Sequence, residues 1–132
     1  MRILSFLLSL FLLAGCGAVP ETNTQTTNTS YTQISEDEAL NFMKENTGYI
    51  ILDVRTEEEF LQKHIKGAIN IPNETIGTEE ISALPDKNQT ILVYCRSANP
   101  SKQASEKLVK LGYTNVIEFG GINNWHGEIV EG

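Results

Sequence analysis

The sequence predicts an α/β domain, with a small, mostly parallel sheet of about five strands and helices on both faces. Two apolar runs, residues 49–54 and 90–94, are continuous rather than alternating, which is how strands covered on both faces read. Helix-like segments separate the strand-like ones, the order that builds βαβ units. The chain has 132 residues, room for one small domain. Its 40% hydrophobic and 20% charged residues exclude a disordered polyampholyte and a bulk membrane protein. A formal net charge of −7 argues against nucleic acid as a partner, because phosphate neutralisation needs a basic face.

Each element has a local reason. Ser35-Glu36-Asp37-Glu38 is a capping box, and Ala39, Leu40, Phe42 and Met43 share one face of the helix that follows, which Gly48 ends. Residues 49–54 form the first buried strand. Thr56-Glu57-Glu58-Glu59 is a second capping box and opens a short helix through Phe60 and Leu61; its three acids suit a first helical turn rather than a metal site. Residues 68–71 are a short strand stopped by Pro72, and residues 75–83 are weakly helical before the Pro85-Asp86 turn. Residues 90–94 form the second buried strand. Residues 101–111 are helical with Ala104, Leu108 and Leu111 inward and Gly112 as the cap, residues 116–119 are the last strand, and Gly120-Gly121 leads into a short helix around Trp125. Trp125 is expected to pack and His126 to be exposed.

Residues 1–15 carry one positive charge, a short apolar run and small residues, the parts of a secretory signal, and the run is too short to span a bilayer. Leu13-Ala14-Gly15-Cys16 resembles the lipobox of bacterial lipoproteins. That resemblance implies cleavage before Cys16, acylation of Cys16, and a membrane-anchored protein facing outside the cytoplasm, in the periplasm or on the cell surface. Cleavage removes Arg2 and no acid, leaving 9 basic and 17 acidic residues, net −8. The rest of the segment from residue 16 to 31 is rich in Thr and Asn and reads as a tether, so the folded domain is expected over 32–132. With Cys16 lipidated, Cys95 is the one thiol left and no intramolecular disulfide can form. Two cysteines and two histidines supply neither a disulfide scaffold nor a metal site, and no cofactor is expected.

One motif carries chemistry: a strand, then Cys95-Arg96-Ser97-Ala98-Asn99-Pro100, then a helix starting near Ser101. Ligands of open α/β sheets bind outside the carboxyl ends of the strands. A cysteine placed there faces loop N–H groups and a helix N-terminus, both of which favour an anion. With Arg96 beside it, Cys95 is set up as a nucleophilic thiolate rather than as a small buried hydrophobe.

At this point the sequence resembles the rhodanese-like domain family over roughly residues 32–130. Ile51-Leu52-Asp53-Val54-Arg55-Thr56-Glu57-Glu58-Glu59-Phe60 is similar to the family's L-D-V-R-x-x-x-E-[FY] segment, and His64-Ile65-Lys66-Gly67-Ala68-Ile69-Asn70-Ile71-Pro72 to its H-I-x-G-A-x-[NH]-[IL]-P segment. Tyr94 to Ser101 resembles the active loop Y-C-R-S-G-x-R-S. Gly112-Tyr113 and Gly120-Gly121-Ile122-Asn123-Asn124-Trp125 resemble the closing motifs. The resemblance implies a rhodanese-like fold and sulfane-sulfur transfer: Cys95 takes sulfur from an anionic donor such as thiosulfate and passes it to a thiol or cyanide. The amides of residues 96–99 would hold the anion, and Arg96 would attract the donor. It makes Asp53 a structural acid near the site, pairs Arg55 with Glu59, and gives His64 a hydrogen-bonded packing role. Related phosphatases use a Cys-x5-Arg loop; here Ser101 stands six after Cys95, so phosphatase activity is not expected.

Two departures matter. Ala98 stands where the family usually has glycine in a tight turn, and an alanine forced to positive φ costs about 1–2 kcal/mol. Pro100 stands where many members have arginine, and it supplies no N–H. The expectation is a monomeric enzyme that loads sulfur but turns over slowly. Two competing readings are a catalytically weak or inactive binding module using the same pocket, and a thiol redox sensor.

Overall fold

The computed structural model describes residues 30–132. The expected leader of residues 1–15, Cys16 and the tether as far as Thr29 lie outside the described residues. The elements run Thr32–Gln33 (β1), Glu36–Glu45 (α1), Ile50–Asp53 (β2), Glu57–Gln62 (α2), His64–Ile65 (β3), Ile69–Asn70 (β4), Ile91–Cys95 (β5), Asn99–Lys110 (α3), Val116–Gly121 (β6) and Ile129–Val130 (β7). The main sheet has five strands in the order β1-β6-β5-β2-β4, with every neighbouring pair parallel. The expected α/β architecture is therefore present.

Alternation along the central strands divides the core between two faces. Leu52 of β2 and Val54 just after it, with Ile91, Val93 and Cys95 of β5, point to one face and pack with Ala104 and Leu108 of α3. Ile51, Leu92 and Tyr94 point to the other face, where Ala39 of α1, Phe119 and Trp125 cover them. Because β5 is buried on both faces, every one of its residues is buried, which is why its sequence reads as an unbroken apolar run. Truncating a core residue such as Leu92 to Ala costs about 2–5 kcal/mol.

Both capping boxes form. Ser35 Oγ accepts from the Glu38 amide at 3.0 Å while Glu38 Oε1 accepts from the Ser35 amide at 2.9 Å. Thr56 and Glu59 make the same exchange at the start of α2.

Several elements differ from the expectation. Residues 75–83 are not a helix. A 3-10 turn covers Asn73–Thr75, and the chain beyond is irregular. Gly77, Thr78 and Ser82 are weak helix formers, and Ile76 and Leu84 anchor the segment singly by burying in the α3-side core. The helix after Cys95 starts at Asn99, two residues early, because Ala98 is its N-cap and Pro100 occupies a position whose N–H no helical carbonyl needs. The first helix ends at Glu45, ahead of Gly48. The segment before Trp125 is a 3-10 turn, Ile122–Asn124. The antiparallel pair β3–β7 and the edge strand β1 are two residues long each, too short to carry a periodic pattern.

Candidate active site

Cys95 ends β5, the central strand, and its register with Gly121 of β6 follows an irregularity between Val93 and Cys95. The side chain lies at the floor of the loop that joins β5 to α3 and is buried. Its Sγ accepts a hydrogen bond from the Ala98 amide at 2.9 Å. It lies 3.1 Å from Ser101 Oγ and 3.7 Å from the Gly120 carbonyl oxygen. Of the amides expected to hold an anion, that of Ala98 reaches the sulfur.

Two backbone features make this loop possible. Ala98 has φ 144°, the positive-φ conformation anticipated from its position in the motif, and the one non-glycine residue with positive φ among the described residues. Gly121 is the second. A Cβ there would run into the Arg96 carbonyl, so the loop and β6 approach as closely as they do because Gly121 has no side chain. At neighbouring Gly120, with φ +95°, a Cβ would meet the Glu36 carboxylate, whose Oε2 accepts from the Gly121 amide at 3.3 Å.

The rim is polar. Arg96, exposed beside the buried cysteine, lines a cleft of about 370 Å³ with Arg55, Glu58, Glu59, Lys63 and Asn123. Ser97, Asn99 and Pro100 are exposed along the same loop, and Ala98 is half-buried. A small anion in this cleft meets Arg96 and Lys63, but also two acids; Cys95 itself is not among the residues that line it.

Asp53 and Arg55 pair with each other, where the expected partner of Arg55 was Glu59. Arg55 pairs with Asp53, Nη2 donating to Oδ2 at 2.7 Å, and not with Glu59, whose carboxylate is used in the α2 capping box. The Asp53 carboxylate also accepts from the Arg55 amide at 2.8 Å and from Tyr94 Oη at 2.6 Å. Arg55 Nη2 donates to the Lys63 carbonyl at 2.6 Å, and Tyr94 Oη accepts from the Ile65 amide at 3.1 Å. Burial, followed by the charge of Asp53, pushes the Tyr94 phenol far above its ordinary value. For Arg55, burial acts downward, but the hydrogen bond and charge of Asp53 outweigh it and the net shift is upward. His64 stacks on Phe60, ring centroids 3.8 Å apart, with Nδ1 2.9 Å from the Phe60 carbonyl oxygen. His126 is exposed, 3.0 Å from Asp37, and Trp125 packs on Phe119.

Two residues beside the sulfur were not singled out as functional from the sequence. Ser101 is fully buried and touches Cys95 directly. Glu118 of β6 is 2% exposed; its Oε2 accepts from Ser101 Oγ at 2.6 Å and from the Gly120 amide at 2.8 Å, and its Oε1 from Gln33 at 3.2 Å. The available signal was an acid set in the apolar run Val116-Ile117-Glu118-Phe119, where a buried charge needs a reason.

The geometry agrees with what the chain is similar to. The family model described as "Rhodanese-like domain" matches residues 35–128. The thiosulfate sulfurtransferase PspE of Escherichia coli is 44% identical over 73 residues, covering 55% of this chain and 70% of that protein. The thiosulfate sulfurtransferase GlpE of Coxiella burnetii is 31% identical over 96 residues, covering 72% of this chain and 87% of that protein. Among solved structures, a rhodanese with anions from E. coli superposes with a TM-score of 0.58 at 42% identity, over 64% of this chain and 99% of that one. A rhodanese-like domain protein from Staphylococcus aureus gives 0.66 at 28% identity, over 76% and 98%.

Proposed function

Because the chain belongs to the rhodanese-like domain family, we propose that it is a sulfurtransferase that carries sulfane sulfur on Cys95. The observation that supports this most is the placement of Sγ at the floor of the β5–α3 loop with the Ala98 N–H aimed at it from 2.9 Å. The names of two relatives, both thiosulfate sulfurtransferases, favour thiosulfate as a donor. The Cys95 thiolate attacks the outer sulfur of thiosulfate, the sulfur–sulfur bond of the donor breaks, and sulfite leaves with the bonding pair. A cyanide or thiolate acceptor then attacks the terminal sulfur of the persulfide, forms its own bond to that sulfur, and returns Cys95 as thiolate. The Ala98 amide stabilises the anion at both stages, and Arg96 at the rim raises the local concentration of an anionic donor. Pro100 withholds one amide, and Ala98 holds a strained turn, so turnover is slow relative to loading.

The lipobox-like Leu13-Ala14-Gly15-Cys16 supports a second part of the proposal: Cys16 is acylated and anchors the domain to a membrane outside the cytoplasm. Mass spectrometry of the N-terminal peptide from membranes of the expressing cell reads this directly; an unmodified residue 1 to 16 segment contradicts it. The transfer activity is tested by thiocyanate production from thiosulfate and cyanide. Native protein produces thiocyanate and Cys95→Ser does not; equal rates in the two contradict the assignment of Cys95.

A further inference from the structure

Behind the reactive sulfur lies a chain of contacts that the transfer reaction does not itself require. Cys95 Sγ is 3.1 Å from Ser101 Oγ, and Ser101 Oγ is 2.6 Å from Glu118 Oε2. All three residues are at most 2% exposed. We propose that Glu118 is a positioning residue that acts through Ser101 to oppose ionisation of Cys95, so that it sets the pH range in which the cysteine reacts.

A serine hydroxyl has one hydrogen to donate. Around Ser101 Oγ stand three acceptors: Glu118 Oε2 at 2.6 Å, the Ala98 carbonyl at 2.7 Å and the Gly120 carbonyl at 3.4 Å. A carboxylate outcompetes a neutral carbonyl for a donor, so the hydrogen goes to Glu118 and Ser101 turns a lone pair towards Cys95. The sulfur then faces two acceptors, Ser101 Oγ and the Gly120 carbonyl, against one donor, the Ala98 amide. An S–H has a hydrogen to give one of these acceptors, whereas a thiolate has none. For the thiolate to form, the thiol proton leaves to water and the Ser101 hydrogen must swing from Glu118 to Sγ, leaving Glu118 with the Gly120 and Gln33 donors. The negative charge of Glu118 opposes the same step directly.

No cation pairs with Glu118 among the described residues. Among the described residues, those around it are Gln33 of β1, Tyr31 just before β1, and Glu106 of α3, which with Glu118 adds to the effect of burial in raising the Tyr31 phenol. Glu36 of α1 lies across Gly120 and Gly121. Arg96 is exposed on the cleft. The groups named around Glu118 are neutral or acidic, save Arg96 out on the cleft.

The inference takes Cys95 as the reacting group from the proposed function, but it is tested without sulfur transfer. Full-length protein is alkylated with iodoacetamide from pH 5 to pH 10 and the Cys95 peptide is followed by mass spectrometry. The Glu118→Gln profile moves to lower pH than the native profile by about one unit, and in a Ser101→Ala background the same substitution moves it by less than half as much. Superimposed profiles, or a shift of Glu118→Gln to higher pH, overturn the proposal. An equal shift with and without Ser101 overturns the serine link. The native protein supplies a measurement that needs no variant: the Glu118 side-chain carboxyl carbon signal moves over the same pH range as Cys95 alkylation, because coupled groups report on each other. A carboxyl signal that stays constant across that range counts against the coupling. Loss of thiocyanate production with an intact alkylation shift would fault the sulfurtransferase reading and leave this one standing.

Discussion

On the β2 side of β5, Asp53 is buried among the Arg55 guanidinium, the Arg55 amide and Tyr94; on the β6 side, Glu118 is buried among Ser101, Gly120 and Gln33. Both acids have their oxygens hydrogen-bonded. Asp53 also has a cation, at 2.7 Å, while Glu118 has none among the described residues and has a cysteine one hydroxyl away. A buried acid with its cation and its donors complete has nothing left to react, and it ties β2, β5 and the end of α2 together. A buried acid without a cation, wired to a thiol, keeps a charge imbalance beside the reacting atom. Proximity to the loop does not distinguish the two clusters; the balance of charge does.

The largest effect should come from breaking the paired cluster. Asp53→Ala strands the Arg55 guanidinium and is expected to cost about 3–5 kcal/mol in urea unfolding. Glu118→Gln orphans no cation and is expected to change stability by no more than about 1 kcal/mol. Equal losses would erase the distinction between the two clusters. Tyr94 sharpens it through pH. Its phenol is raised from an ordinary 10.0 in the folded state, so above that pH the folded protein binds more protons than the unfolded chain and stability falls as pH rises. Tyr94→Phe removes this alkaline loss, seen as a flatter plot of urea midpoint against pH above 10.0. At Ala98, with φ 144°, glycine relieves strain: Ala98→Gly is expected to gain about 1 kcal/mol and to raise thiocyanate production. An unchanged or lower rate would remove strain as a cause of slow turnover. At the exposed cap of α2, Thr56→Ala costs about 1 kcal/mol and leaves alkylation of Cys95 unchanged.

The β5–α3 site and the architecture around it could be read from residue order because their signals are local. Continuous apolar runs mark strands covered on both faces, Ser35 with Glu38 and Thr56 with Glu59 mark helix starts, and a cysteine between a buried strand and a helix marks a loop floor. Ala98 at a glycine position foretold its positive φ. What escaped depends on contacts distant in sequence. Arg55 chose Asp53 over Glu59 because Glu59 was already engaged by its own cap, a competition that a linear motif does not display. Ser101 and Glu118 are 17 residues apart and meet because β6 lies beside β5 with α3 across it. The segment after Thr75 lost its expected helix because Ile76 and Leu84 bury into the core without helical spacing.

The most direct test of the account is the mass of Cys95 itself. Full-length protein is incubated with thiosulfate, then with cyanide, and the Cys95 peptide is weighed after each step. The account predicts a gain of one sulfur atom on Cys95 after thiosulfate and its loss, as thiocyanate, after cyanide. A folded protein whose Cys95 can be alkylated yet gains no sulfur from thiosulfate would contradict it.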